Sequence, residues 1–289
     1  MAAQLVVSGI ALGSIYALLA LSLALIDKAC DVVNFAQGEM AMFGTFLCFA
    51  LLTSTRMPLW LVLLLALPIG AVLGMVTERI ALRPLQGAPP VNALIATIGL
   101  WMVFHHAAGW IWGYDPVRFP SIFSPEPVSV AGVRIAQNSL GIIAVSFLVM
   151  LLLYLFLEHT RTGIAMRAAS MNRRAAELMG VNIGRVRLIA WGLATMISVV
   201  SGVLVAPLTF LDFEIMVAIL LKAFAGAILG GFASLPGVVV GCLLLGALEN
   251  LFGAYISTAF KDTFGFGIIL AVLMLRPQGL FSVGIAKKV

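Results

Sequence analysis

Three ionisable side chains stand in sequence that is otherwise apolar: Glu39, Lys222 and Glu249. An ionised group at mid-bilayer costs roughly 3 kcal/mol on insertion scales, so each must face protein or water and is a candidate for handling a polar or charged species. Glu39 closes the polar stretch DKACDVVNFAQGE (27–39), in which Asn34 and Gln37 can also donate and accept hydrogen bonds along a cavity wall. Glu249 reads either as a pathway group or as a structural ion pair or hydrogen-bond partner of Asn250 or a neighbouring helix. Lys222 reads either as functional or as a lysine snorkelling from a short span. Catalytic and metal chemistry find no such footing, because GxxxxGK[ST], HExxH and GxSxG do not occur. His105 and His106 are adjacent, hence about 100° apart on a helix and badly placed to share one metal. Cys30, Cys48 and Cys242 lack CxxC or Cys/His spacing, so neither a disulfide framework nor a zinc site is indicated, and buried apolar thiols are the simpler reading. No cofactor and no metal are expected.

The elements that must hold these groups are membrane spans. The 289 residues are 62% hydrophobic and 10% charged, with mean hydropathy +1.14, far outside the range of a soluble globular chain. The apolar runs 5–26, 58–77, 91–113 and 139–157 approach the ~20 residues of a transmembrane helix. They are too long and too uniformly apolar for barrel strands. Further runs end near Leu52 and cover 188–208, 217–232, 238–256 and 264–275. The expected fold is all-α, a polytopic transmembrane helical bundle of about eight to ten spans, some broken or re-entrant, forming one domain over 1–289. No charge precedes Asp27 and the first run exceeds a signal-peptide core, so it is expected to be a retained span. The stretch 27–39 suits either a loop or a discontinuous helix lining a cavity.

Trp110, Trp112 and Tyr114 cluster as an interfacial belt, and Pro116, Pro120, Pro125 and Pro127 exclude a continuous helix beyond it. An external loop is expected over 114–138. Gly9 and Gly13 give the first span a small face, and the cluster Gly226, Gly230, Gly231, Gly237, Gly241 and Gly246 predicts close helix packing. GGFASL followed by PGVVVG predicts a re-entrant hairpin or sharp turn.

The longest polar interruption, 158–187, carries Arg161, Arg167, Arg173, Arg174, Arg185 and Arg187 against Glu158 and Glu177. Short basic loops stay on the inner face, so this segment is expected in the cytoplasm. The net charge of +5 and pI of about 9.4 belong to such loops rather than to a nucleic-acid surface. Two spans separate it from the boundary ERIALRPL (78–85), and four separate it from a tail with Arg276, Lys287 and Lys288. All three basic sites then share one side, and the C-terminus is cytoplasmic. If 27–52 crosses once, the N-terminus is outside. Within the segment, Asn172 is a candidate N-cap and Gly180 a natural stop for a short helix. That helix could seat in a socket on another protein, or the segment could be a solvated amphipathic loop.

Here the residues carry a resemblance. Arg174-Ala175-Ala176-x-x-x-Gly180 is similar to the EAAxxxG signature of ABC importer permeases, with Arg174 where the signature has Glu. The chain as a whole resembles the branched-chain (hydrophobic) amino acid permease family in GSIYALLALSLALI (13–26), VVNFAQGEMAMFG (32–44), ERIALRPL (78–85), TRTGIAMRAA (160–169), LKAFAGAILGGFASLPG (221–237) and RPQGLF (276–281). Family members often have His where Gln37 stands. The resemblance implies a non-enzymatic transport subunit in the bacterial cytoplasmic (inner) membrane, surrounded by lipid. Its expected partners are a second homologous permease, identical or not, two cytoplasmic ATPases that hydrolyse the ATP, and a periplasmic substrate-binding protein. ATPase coupling is expected through Asn172, Arg173, Arg174, Ala175, Ala176, Glu177 and Gly180, and substrate passage past Asn34, Gln37, Glu39 and Glu249. The implied cargo is branched-chain or other hydrophobic amino acids, with urea, short amides or aromatic acids as alternatives. An ion-coupled secondary transporter using Glu39 or Glu249 is the alternative of a different class.

Overall fold

The computed structural model describes residues 2–55, 57–121, 123, 127–130, 133–232, 234–275 and 279–281. The basic tail residues Arg276, Lys287 and Lys288 lie outside these. The described chain is helical except for one hairpin: α1 (Ala2–Cys30), α2 (Gln37–Thr55), α3 (Leu59–Thr77), α4 (Pro90–Trp112), β1 (Pro127–Val130), β2 (Val133–Ala136), α5 (Gln137–His159), α6 (Arg161–Met171), α7 (Arg173–Leu178), α8 (Ile183–Val205), α9 (Ile215–Gly230), α10 (Leu235–Tyr255) and α11 (Lys261–Leu275). Seven of these helices are long and apolar enough to cross a membrane; two more, over Ile215–Gly230 and Thr263–Val272, are apolar but shorter. The protein is an all-α, multi-pass membrane protein, as its composition predicts.

The chain divides into two compact units. One comprises 1–24, 121–147 and 217–289; the other comprises 25–120 and 148–216. In the first, α10 is seated by small residues on two faces. A Cβ on Gly9 or Gly13 of α1 would stand 2.8 Å from the Ala247 Cα or 2.7 Å from the Cys242 carbonyl oxygen. On α10's other face, a Cβ on Gly226 would lie 2.7 Å from the Cys242 Cα, and one on Gly241 2.8 Å from the Gly230 Cα. Real Cβ atoms do not approach so closely, so only glycine permits these backbone crossings. Gly231 supplies the turn between α9 and α10 with φ of +95°, and the Ser234 hydroxyl accepts from the Gly237 N–H at 3.2 Å to cap α10. The hairpin pairs Pro127 with Ala136 and Val130 with Val133 within the stretch that the prolines bar from helix.

In the second unit α3 runs antiparallel against α8. A Cβ on Gly70 would stand 2.6 Å from the Met196 Cα, and Gly74 faces Trp191 and Thr195. Pro68 lies inside α3, and the helix passes without interruption into a π-helical turn at Glu78–Leu82 and a 3₁₀ turn at Arg83–Leu85. The interior of this unit holds Trp191, Met40, Met42, Ile197, Leu204 and Leu211, all fully buried.

Candidate functional site

The break between α1 and α2 is built by Asp31, at φ of +53°, and by Asn34. The Asn34 Oδ1 accepts the Ala36 N–H at 3.1 Å, a local side-chain turn that begins α2. Its Nδ2 donates to the Gln37 Oε1 at 2.7 Å, and the Gln37 Nε2 donates to the Ser198 Oγ on α8, also at 2.7 Å. The Ser198 hydroxyl in turn donates to the Ala194 carbonyl at 3.0 Å. This relay is fully buried and runs through the protein, so it staples the break to α8.

Two residues further on, Glu39 is 2% exposed, and its Oε2 lies 3.2 Å from the His105 Nδ1 on α4. The imidazole stacks on Trp101 (5.3 Å between centroids) and meets Phe213 edge-on at 5.2 Å, while Phe213 meets Tyr114 edge-on at 5.1 Å. A carboxylate held by one imidazole and one indole N–H among aromatic faces has acceptor capacity left over, the chemistry that suits an ammonium or another hydrogen-bond donor. Sequence reasoning set His105 aside as badly placed to share a metal with His106; its position four residues after Trp101 on one helix face was the available signal.

Glu249 belongs to the first unit and has different company. Its Oε1 receives the Lys222 ammonium at 2.6 Å and stands 3.9 Å from the Lys261 ammonium, and its Oε2 accepts from the Tyr16 hydroxyl at 3.2 Å. Lys222 also sits over the Tyr16 ring at 5.8 Å. Asn250 does not serve Glu249. Its Nδ2 donates to the Leu5 carbonyl at 2.7 Å and the Ser8 Oγ at 2.8 Å, tying α10 to the start of α1.

The basic segment 158–187 is structured rather than loose. Thr160 caps α6, accepting from the Gly163 N–H at 3.0 Å, and the Arg167 guanidinium reaches the Glu158 carboxylate. Asn172 caps α7, its Oδ1 accepting the Ala175 N–H at 3.0 Å. The helix ends with Val181 N–H to Ala176 C=O and Gly180 N–H to Glu177 C=O, both 3.0 Å, with Gly180 at φ of +85°. That bond pair is a Schellman ending, which uses glycine because L side chains are strained there. Ala176 alone of α7 is buried; Asn172, Arg173, Arg174, Ala175, Glu177 and Gly180 are exposed. Leu178 and Met179 are 88% and 85% exposed and lie beside Arg173 and Arg174, so a short, well-capped helix presents apolar and basic groups together.

The structure therefore joins Asn34 and Gln37 in one relay to α8, turns Glu39 to His105 on α4, gathers the seven α7 residues, and places Glu249 in an ion-pair cluster of its own unit. The glycines Gly226, Gly230, Gly231, Gly237 and Gly241 form the α9–α10 crossing and its turn.

Residues 5–273 match the family model described as branched-chain amino acid transport system, permease component. The chain is 31% identical to the high-affinity branched-chain amino acid transport system permease protein LivH of Salmonella typhimurium, over 96% of this chain and 95% of that one. It shows the same identity and coverage with BraD of Pseudomonas aeruginosa, and 32% identity over 92% of this chain with a probable LivH of Methanocaldococcus jannaschii. A multi-pass bundle of this length, matched nearly end to end, belongs to the family of branched-chain amino acid transport system permease components.

Proposed function

We propose that this chain is the membrane-spanning subunit of an ATP-binding-cassette importer for branched-chain or other hydrophobic amino acids in the bacterial cytoplasmic membrane. It works with a second permease, two ATPases and a periplasmic binding protein, and moves substrate by alternating access. The observation that carries this reading is α7. A capped helix on the basic segment, with Leu178 and Met179 almost fully exposed between arginines, suits a socket on a cytoplasmic ATPase. On this reading 158–187 is cytoplasmic, and Asn172, Arg173, Arg174, Ala175, Ala176, Glu177 and Gly180 form the docking element. Glu39, with His105 and its aromatic neighbours, is the pathway group suited to a substrate ammonium; Asn34 and Gln37 fix the break at the start of its helix to α8. Glu249, expected from sequence on the pathway, is read instead as a neutralised scaffold group of its own unit, held by Lys222, Lys261 and Tyr16.

Reconstitution tests the class. Uptake into proteoliposomes requires ATPases, ATP and the binding protein, and none occurs from the chain alone under a proton or sodium gradient. Gradient-driven uptake by the chain alone would assign an ion-coupled transporter built on the Glu39–His105 pair. The cargo is read from the ligand that stabilises the cognate binding protein in a thermal-shift screen. Leucine, isoleucine or valine supports the reading, whereas urea, a short amide or an aromatic acid replaces the substrate while keeping the transporter class.

A further inference from the structure

One seam of the second unit holds polar atoms that the protein leaves unanswered. Among the described residues, the buried Glu78 Oε1, Arg187 Nε and Thr195 Oγ1 have no hydrogen-bond partner. Arg187, Trp191 and Thr195 follow at four-residue intervals along one face of α8, and Glu78 begins the π-helical turn at the end of α3. Gly74 keeps the seam open, since a Cβ there would sit 2.6 Å from the Thr195 Oγ1. The Cys30 thiol, at the end of α1, hydrogen-bonds with Trp191 and Arg187 and feels the Glu78 charge, so these side chains belong to one neighbourhood.

Glu78 is 1% exposed and Arg187 9%, yet no salt bridge within 4.0 Å joins them. Opposite charges buried at one seam without direct contact, with the Glu78 Oε1 and the Arg187 Nε unanswered, call for a guest that both donates and accepts hydrogen bonds, which describes water. Position gives the pocket its meaning. Arg187 lies on the opening turns of α8, five residues after Asn182 caps that helix, and α7 leads directly into that cap. Glu78 lies where α3 changes from α- to π-helical, an arrangement that recurs at functional sites. A water-bridged pair can shift by a hydrogen-bond length without losing partners, whereas a direct contact locks.

We propose that Glu78 and Arg187 are positioning residues of the transport cycle, tying the base of α8, and through it α7, to the end of α3 across a buried, water-bridged pocket. The proposal rests on the reading of α7 as the ATPase docking element. Movement imposed on α7 enters α8 at Arg187 and reaches α3 through Glu78.

The test uses the complete importer in proteoliposomes with Glu78→Gln, Arg187→Gln and the double variant. Each single variant leaves one buried charge without its counterpart and unfolds at lower temperature; the double, free of a lone charge, regains stability. All three keep their ATPases on co-purification and still hydrolyse ATP, but substrate imported per ATP falls by roughly tenfold, within the usual range of coupling between sites. A stable double variant that imports as much per ATP as the parent overturns the proposal, because the pair is then only structural. The double variant decides the matter even where the singles fail to fold. Failure of the α7 reading is distinguishable: ATPases would remain bound after Arg173→Glu/Arg174→Glu, whatever Glu78 and Arg187 do.

Discussion

Glu249 and Glu39 are both buried carboxylates among apolar helices, and they are answered in opposite ways. Glu249 is saturated: an ammonium at 2.6 Å, a second at 3.9 Å and a tyrosine hydroxyl, supplied by helices whose glycines bring the backbones into contact. Glu39 has His105 at 3.2 Å, a hydrogen bond from the Trp101 side chain, and aromatic faces around it. A saturated pair holds helices in register and costs much to break. A carboxylate held by an imidazole and an indole, with no lysine against it among the described residues, can exchange a hydrogen-bond donor for a ligand. Burial of charge alone therefore does not mark a transport group; on the proposed reading, how completely the charge is already answered separates scaffold from pathway.

The largest expected effect breaks the scaffold side. Glu249→Ala leaves Lys222 without its carboxylate and destabilises the protein by about 3–5 kcal/mol, read as a lowered unfolding temperature in detergent. Glu249→Gln combined with Lys222→Met recovers most of that loss; no recovery would place Glu249 on the functional side of the comparison. Next comes the glycine seam of the same unit. Gly241→Ala sets a Cβ 2.8 Å from the Gly230 Cα, with an expected cost of about 1–3 kcal/mol by overpacking. Wild-type stability in that variant would show that α9 and α10 yield easily.

Glu39→Gln sharpens the other side. The amide keeps a hydrogen bond to His105, so stability changes by under about 1.5 kcal/mol. Uptake nevertheless falls roughly tenfold or more, the equivalent of one charge-assisted hydrogen bond to substrate. Unchanged uptake, or collapse of the fold, would erase the contrast with Glu249. The smallest effect is expected on the surface. Glu177→Gln removes an exposed i,i+4 partner of Arg173 at 3.8 Å and costs no more than about 0.5 kcal/mol, visible as a shift of a degree or less.

Much of the fold was legible because apolar length and capping chemistry are local. The run 58–77 became α3 (Leu59–Thr77), and 139–157 became α5 (Gln137–His159). Asn172 and Gly180 stand at the ends of α7 because an N-cap side chain and a positive-φ glycine do their work within one turn. Other boundaries moved for physical reasons. The first helix continues through Asp27 and Lys28 to Cys30, since polar side chains at a helix end leave its backbone bonds intact. The helix expected from 188 starts at Ile183, because Asn182 caps it and Arg185 and Arg187 ride on its first turns. The strand pair in the proline-rich loop also went unread, although PVSV and VRIA flank a two-residue gap as hairpin strands do.

The sites were legible only as isolated groups. Glu39 and His105 are 66 positions apart, Lys222 and Glu249 27, and Tyr16 and Glu249 233. No helical period spans such distances, so a sequence shows which residues need partners and tertiary packing decides which they get. The unanswered atoms around Glu78 and Arg187 were invisible for the same reason: both read as boundary charges, and only the antiparallel packing of α3 on α8 buries them together.

The claim on which the functional account stands is that α7 is the surface through which ATP hydrolysis reaches this subunit. Co-purification of the ATPases with Arg173→Glu/Arg174→Glu, in the assembled importer and with the permease shown to be folded by its unfolding temperature, tests it most directly. The account predicts loss of the ATPases from a folded permease. Intact association would contradict it.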